Sequence, residues 1–173
     1  MRLLGVDPGS RHTGVGIIDV DGARIAHVYH EVIHTGEGTL AQKLHILFRR
    51  LQAVIAEYHP HSVGMEDVFV AKNAASALKL GQARGALIAA CADAGLDVTP
   101  YSPTAVKQAV VGFGRADKAQ IQHMVQLLLK HATRPAEDAA DALAVAICHA
   151  HHSRMQTISD QPRSGRSIRR IRP

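Results

Sequence analysis

Short apolar runs closed by turn residues fill the first part of the chain, and apolar positions then shift to the three- and four-residue spacing of helices. RLLGVDPG (2–9) predicts a strand running into a turn. TGVGIIDVDG (13–22) predicts a second strand with Asp21-Gly22 as its hairpin turn, and RIAHVYHEVIHT (24–35) a third. Strands so closely linked pair antiparallel, because a parallel pair needs a crossover of roughly a dozen residues or more. TLAQKLHILFRRLQAVIAEY then sets Leu40, Leu44, Leu47, Leu51, Val54 and Ile55 at helical spacing. HSVGMEDVFV (61–70) reads as a fourth strand. AASALKLGQARGALIAACADAG is a long helix ended by Gly95, and DVTPYS is a short fifth strand. Helical segments follow over about 103–111, 116–131 and 136–152. This order predicts an α/β fold, a five-stranded mixed sheet flanked by helices, with strands 1, 4 and 5 parallel. Ligands of such sheets collect at the carboxyl ends of the parallel strands.

Composition adds bounds. With 173 residues and 46% apolar content the chain suits one folded domain with a sizeable core. No stretch approaches the ~18 apolar residues that cross a membrane, and the opening apolar run is too short for a signal peptide. Cys91 and Cys148 lie in apolar helical patterns and read as small buried side chains in a reducing compartment, so a cytoplasmic location is expected. The net charge of +5 is unevenly placed. Residues 1–152 carry 14 Lys plus Arg against 14 Asp plus Glu, whereas 153–173 carry six Arg and one Asp. The division is therefore a folded domain over 1–152 and a basic, disordered arm over 153–173. The arm is either a solvated tail or a source of non-specific attraction to nucleic acid.

The candidate chemistry is acidic. EDAADALAVAICHAHH (137–152) is built for burial, yet Asp138 and Asp141 share one stripe of it with Ala142 and Val145. Acidic residues near a helix start also favour the helix dipole, so this stretch alone does not decide between the two roles. Asp7 ends strand 1, where Asp-Pro-Gly-Ser is also a good turn sequence. Glu66 lies in an apolar strand, where an unpaired carboxylate is costly and an ion pair is the plain alternative. If the last helix packs on the sheet rim, four carboxylates converge. They then need cations, and oxygen ligands without Cys or His favour Mg2+ or Mn2+ over zinc. Two such ions suit in-line attack on a phosphodiester. Asp67, next to Glu66, falls on the opposite face by strand alternation.

Four separated blocks carry a resemblance: GVDPGSRHTGVGI, EDVFVAKNAASALKLGQARG, VKQAVVGFGRADKAQIQHMV and DAADALAVAICH. They resemble, in order, the bacterial Holliday junction resolvase family RuvC, of the ribonuclease-H-like superfamily. The likeness spans about residues 2–152 and leaves out the arginine-rich tail. It implies a ribonuclease-H-like sheet with helices on both faces. The implied activity is paired, symmetric nicking of four-way DNA junctions in recombination and repair, with Mg2+, two ions per site. By the same resemblance Asp7, Glu66, Asp138 and Asp141 form the catalytic, metal-holding tetrad. Phe69 inserts at the junction centre, and Lys107 and Lys118 contact phosphate with help from Lys72 and Arg115. The helix bearing Gly81 and Gly85 forms the interface of a homodimer. The branch-migration proteins RuvA and RuvB are implied as partners.

The residues alone leave some of these open. Phe69 also suits a core position. Gly81 and Gly85, each costing ~1 kcal/mol in a helix relative to Ala, also suit packing against the chain's own sheet or first helix. Lysines are ordinarily solvated surface charges. His149, His151 and His152 are not expected to form a metal cluster, His149 lying two turns beyond Asp141 on its stripe and the others facing solvent. Three rival functions are weighed: a nucleotide-binding protein of the actin and sugar-kinase class, for which one lobe is too few; a junction-binding scaffold without catalysis; and a nuclease acting on RNA–DNA hybrid.

Overall fold

The computed structural model describes residues 1–67, 73–130 and 133–159, the last six as helix backbone only. Phe69, Lys72 and residues 160–173 of the basic arm lie outside the described residues. One five-stranded sheet holds the molecule together, in the order β3-β2-β1-β4-β5. Its strands are β1 (Arg2–Asp7), β2 (His12–Asp21), β3 (Arg24–His34), β4 (Ser62–Glu66) and β5 (Val98–Tyr101). β1–β2 and β2–β3 are antiparallel, while β1–β4 and β4–β5 are parallel. The mixed sheet read from the sequence is the one observed.

Alternation sorts the strands onto two layers. Leu4, Val6, Val15, Ile17, Val63 and Met65 face a core shared with α1 (Leu40–Tyr58) and α2 (Ala74–Asp93). Leu3, Ile18 and Val20 face a second core, with α3 (Pro103–Val111), α4 (Lys118–Leu128) and α5 (Glu137–Ser159). The helix starts are set by side chains that accept from otherwise unsatisfied backbone N–H groups. Thr39 and Asp117 form capping boxes with Gln42 and Gln120. Ser102 caps α3, with Pro103 in its first turn, and Asn73 accepts from Ala75 and Ser76 to start α2.

Two boundaries differ from the sequence reading. The fourth strand stops at Glu66, with Asp67 already outside it, so Glu66 ends its strand instead of interrupting it; the expected continuation over 68–70 lies outside the described residues. The last helix runs on to Ser159, past the boundary expected at 152, through a sequence too polar and arginine-bearing to read as helical.

One packing contact fixes where α5 sits. Gly16, Gly5 and Gly64 are register partners on β2, β1 and β4, a row of glycines across three adjacent strands. A Cβ on Gly5 would lie 2.2 Å from the Ala142 carbonyl oxygen, and one on Gly14 would lie 1.9 Å from that of Asp138. One on Gly16 would meet the Leu143 nitrogen at 2.8 Å, and one on Gly64 the His149 Cβ at 2.9 Å. The helix answers with small residues: Ala139, Ala140, Ala142, Ala144, Ala146 and Ala150 are all buried. Its backbone therefore rests on the sheet's backbone, closer than any side chain between them would allow.

Gly5→Ala is expected to lower the free energy of unfolding by about 1–3 kcal/mol, because the added methyl meets rigid backbone. Urea unfolding should show a lower midpoint with an unchanged slope. A variant as stable as the parent would show that α5 can ride up freely.

Candidate active site

The site grows from the ends of two neighbouring parallel strands. Asp7 is the last residue of β1 and Glu66 the last of β4. Alternation puts Asp7 on the same face as Leu3 and Gly5, and Glu66 with Gly64, toward α5. On α5, Asp141 precedes the residue whose carbonyl presses on Gly5. Three carboxylates from three elements thus line one cleft of about 300 Å³, together with Lys107 of α3 and Lys118 at the start of α4.

Their electrostatics show how closely they are gathered. Burial, then the charges of Glu66, Asp141 and Asp138, push the Asp7 carboxyl up to about 8, against an opposing pull from Lys118. Burial and Asp141 raise Glu66 to about 7, with Lys107 and Lys118 opposing. Asp141 is also raised, by burial first; Lys118 and Lys107 work against it, Glu137 and Asp138 with it.

Asp138 sits apart from this cleft. One turn before Asp141, its carboxylate turns to His12 on β2, with Nδ1 to Oδ2 at 3.6 Å. It still acts electrostatically on Asp7 and Asp141. Its backbone carbonyl lies over Gly14, the register partner of Asp7. His12 also meets His34 edge-on, ring centroids 4.8 Å apart. The sequence reading passed over His12. The available signal was its place, five residues after Asp7 in the turn that leaves strand 1.

Other expected residues fall in different places. Lys118 lines the cleft while its ammonium group hydrogen-bonds Glu137. Arg115 is exposed in the α3–α4 connection and does not line the cleft. Among the described residues nothing lies within 4 Å of a Cβ added at Gly81 or Gly85, the chain's own sheet and first helix included. Asp67 points to the other face, 3.3 Å from Arg84 of α2, as alternation requires. His149 is a core residue: it is buried, its two ring nitrogens lie 2.8 Å from Ser62 Oγ and Tyr101 OH, and burial pushes it down to about 4. His152 is exposed and tilts over the Tyr101 ring. Cys91 and Cys148 are buried free thiols, and no helix among the described residues is long and apolar enough to cross a membrane.

The cleft suits a hard divalent cation. Its donors are carboxylate oxygens alone, and their mutual repulsion in a half-dry site is the cost that a cation relieves. No three His, Cys, Asp or Glu side chains among the described residues are already gathered tightly enough to hold an ion. The fit thus rests on donor type and on the burial, and after it the mutual repulsion, that raise Asp7, Glu66 and Asp141.

A sheet of this order, with carboxylates at the ends of its central parallel strands and on the helix that crosses them, is the ribonuclease-H-like architecture. The profile of the crossover junction endodeoxyribonuclease RuvC family matches residues 3–149. The RuvC of Ectopseudomonas mendocina is 53% identical over 150 residues, 87% of this chain and 86% of that one. The RuvC of Marinobacter nauticus is 51% identical over 167 residues, 96% of this chain and 94% of that one. The structure of T. thermophilus RuvC in complex with Holliday junction substrate superimposes with a TM-score of 0.85 at 34% identity, covering 91% of this chain and 97% of that one. The chain belongs to this family: it is a crossover junction endodeoxyribonuclease, a structure-selective Holliday junction resolvase of recombination and repair.

The raised carboxyls predict a pH dependence. Asp7 and Glu66 hold protons more tightly in the folded chain than in the unfolded one, so their contribution to stability is fully present below about pH 4 and is lost progressively until the pH has risen through about 7 to 8. The melting temperature in EDTA should fall between pH 6 and pH 9, and Asp7→Asn should flatten that fall. Excess Mg2+ should restore the parent at pH 9, because a ligand that binds the folded state stabilises it. A parent insensitive to pH in this window would contradict the clustering of the carboxylates.

Proposed function

We propose that the cleft of Asp7, Glu66 and Asp141, completed by Asp138, hydrolyses a phosphodiester at the exchange point of a four-way DNA junction. The observation that carries this reading is the meeting of three carboxylates from three separate elements with two lysines in one cleft. These carboxylates would hold Mg2+ or Mn2+, two ions per site, which would supply activated water and neutralise charge on the phosphate.

The chain's own residues do the rest. Asp7 and Glu66, anchored on adjacent strands, present oxygens from a rigid edge. Asp141 closes the third side from α5, and Asp138 exchanges its contact with His12 for the site. Lys107 and Lys118 attract a phosphate that the carboxylates alone would repel, and their contact carries no base sequence. Arg115 and Lys72 extend that attraction, and Phe69 stacks on bases at the open centre of the junction.

A homodimer supplies the second cut. A two-fold axis places one site on each of two opposed strands, matching the approximate two-fold symmetry of a four-way junction. The bare face of α2 at Gly81 and Gly85 gives a second copy room for close approach. The same reading takes RuvA and RuvB as the branch-migration partners and the cytoplasm as the site of action.

The test uses a synthetic mobile four-way junction and a linear duplex of the same sequence. Paired nicks should appear in the junction alone with Mg2+ or Mn2+, and stop in EDTA. Cutting in EDTA, or equal cutting of the duplex, would overturn the reading. Asp7→Asn should lower the cleavage rate by roughly a thousandfold or more while junction binding survives. Glu66→Gln and Asp141→Asn should behave alike, and a double variant should be little worse than the singles. Gly81→Leu with Gly85→Leu should keep the fold and lower the mass seen in sedimentation to that of one chain.

A further inference from the structure

A second cavity lies on the other side of the same sheet edge. It measures about 490 Å³ and opens between the turn after β1, the start of α1 and the start of α2. Three cationic side chains line it, Arg11, Lys43 and Lys79, and no carboxylate does. Residues 1–152 carry equal numbers of acidic and basic side chains, so three cations without an acid are not the background of this surface. None of the three has an ion pair among the described residues. Leu40 and Leu78, which are 45% and 64% exposed, sit among them.

The turn that presents Arg11 is tied down. Thr13 Oγ1 accepts from the Gly9 N–H and donates to the Gly9 carbonyl. Buried Thr35 bonds the Ser10 carbonyl through its hydroxyl and the Arg11 carbonyl through its N–H. A Cβ on Gly9 would lie 1.8 Å from the His12 carbonyl oxygen, so the turn closes only with glycine there. It leaves Asp7 and reaches Arg11 four residues later, linking the acidic cleft to the basic groove by a short, fixed piece of chain.

We propose that this groove holds a stretch of DNA backbone next to the scissile phosphate, with Arg11, Lys43 and Lys79 on the phosphates and Leu40 and Leu78 against sugar or base. This rests on the reading that the cleft acts on junction DNA. Charge complementarity selects a polyanion, and the exposed leucines between the cations suit a nucleotide chain better than a free anion. A second copy of the chain is the other occupant to consider, and α2 separates the two. At 100° per residue, Lys79 lies about 160° around the helix from Gly81 and about 120° from Gly85, so the groove's cation on α2 turns away from the small-residue face, while Leu78, about 20° from Gly85, lies at the border between the two.

Junction binding by the full chain carrying Asp7→Asn, which holds DNA without cutting it, reads the groove directly. Adding R11A, K43A and K79A should weaken affinity at 0.1 M salt by at least about tenfold. The plot of log affinity against log salt should become shallower by about 2 or more. R11K, K43R and K79R together should keep the affinity and slope, and sedimentation should give the same mass for every variant. Unchanged affinity and slope in the alanine variant would overturn the groove. A fall in mass would also overturn it, making the groove an interface between copies. Should the parent neither bind nor cut the junction with Mg2+, the function itself fails, and the groove with it.

Discussion

The contact of α5 with the glycine row of the sheet is the constraint on which the site depends. Gly16, Gly5 and Gly64 lie side by side on three strands; the helix backbone at Ala142, Leu143 and Ala146 rests on Gly5 and Gly16, and the His149 side chain covers Gly64. Depth and rotation are fixed together. If the helix stood higher, Asp141 would leave the strand ends. If it were turned, Asp138 would no longer lie over the register partner of Asp7. The buried alanines and His149, bonded to Ser62 and Tyr101, hold the same seat further along the helix.

That seat brings together groups that repel one another. Burial favours the protonated form of each carboxyl, and each charge raises its neighbours. Lys107 and Lys118, which line the same cleft, offset part of this. The molecule tolerates the conflict because its two cores lie elsewhere, one under α1 and α2 and the other under the body of α3 to α5. Placing the charges at strand ends, beyond those cores, keeps them in reach of solvent and of ligand.

Much of this was legible in the sequence, and what was not has a physical cause. Short apolar runs and helical spacing gave the element order, and the topology followed from the short links between the first three strands. Alternation put Asp67 opposite Glu66, where it meets Arg84. The end of β4 at Glu66 was not legible, because the apolar pattern of the sequence continues beyond it. The reach of α5 to Ser159 was hidden by a polar composition that resembles a tail. The glycine row was hidden more deeply, since Gly5, Gly16 and Gly64 become neighbours only through strand register, a long-range property. His12 was missed for the same reason: its contact with Asp138 spans most of the chain.

The central claim is that these carboxylates form one cation site at the sheet edge. Anomalous diffraction from crystals of the full chain soaked in Mn2+ tests it most directly. The account predicts density among Asp7, Glu66 and Asp141, with Asp138 drawn in from His12, and loss of that density in the Asp7→Asn variant. Density on His12 and His34 instead, or an unchanged peak in Asp7→Asn, would contradict it.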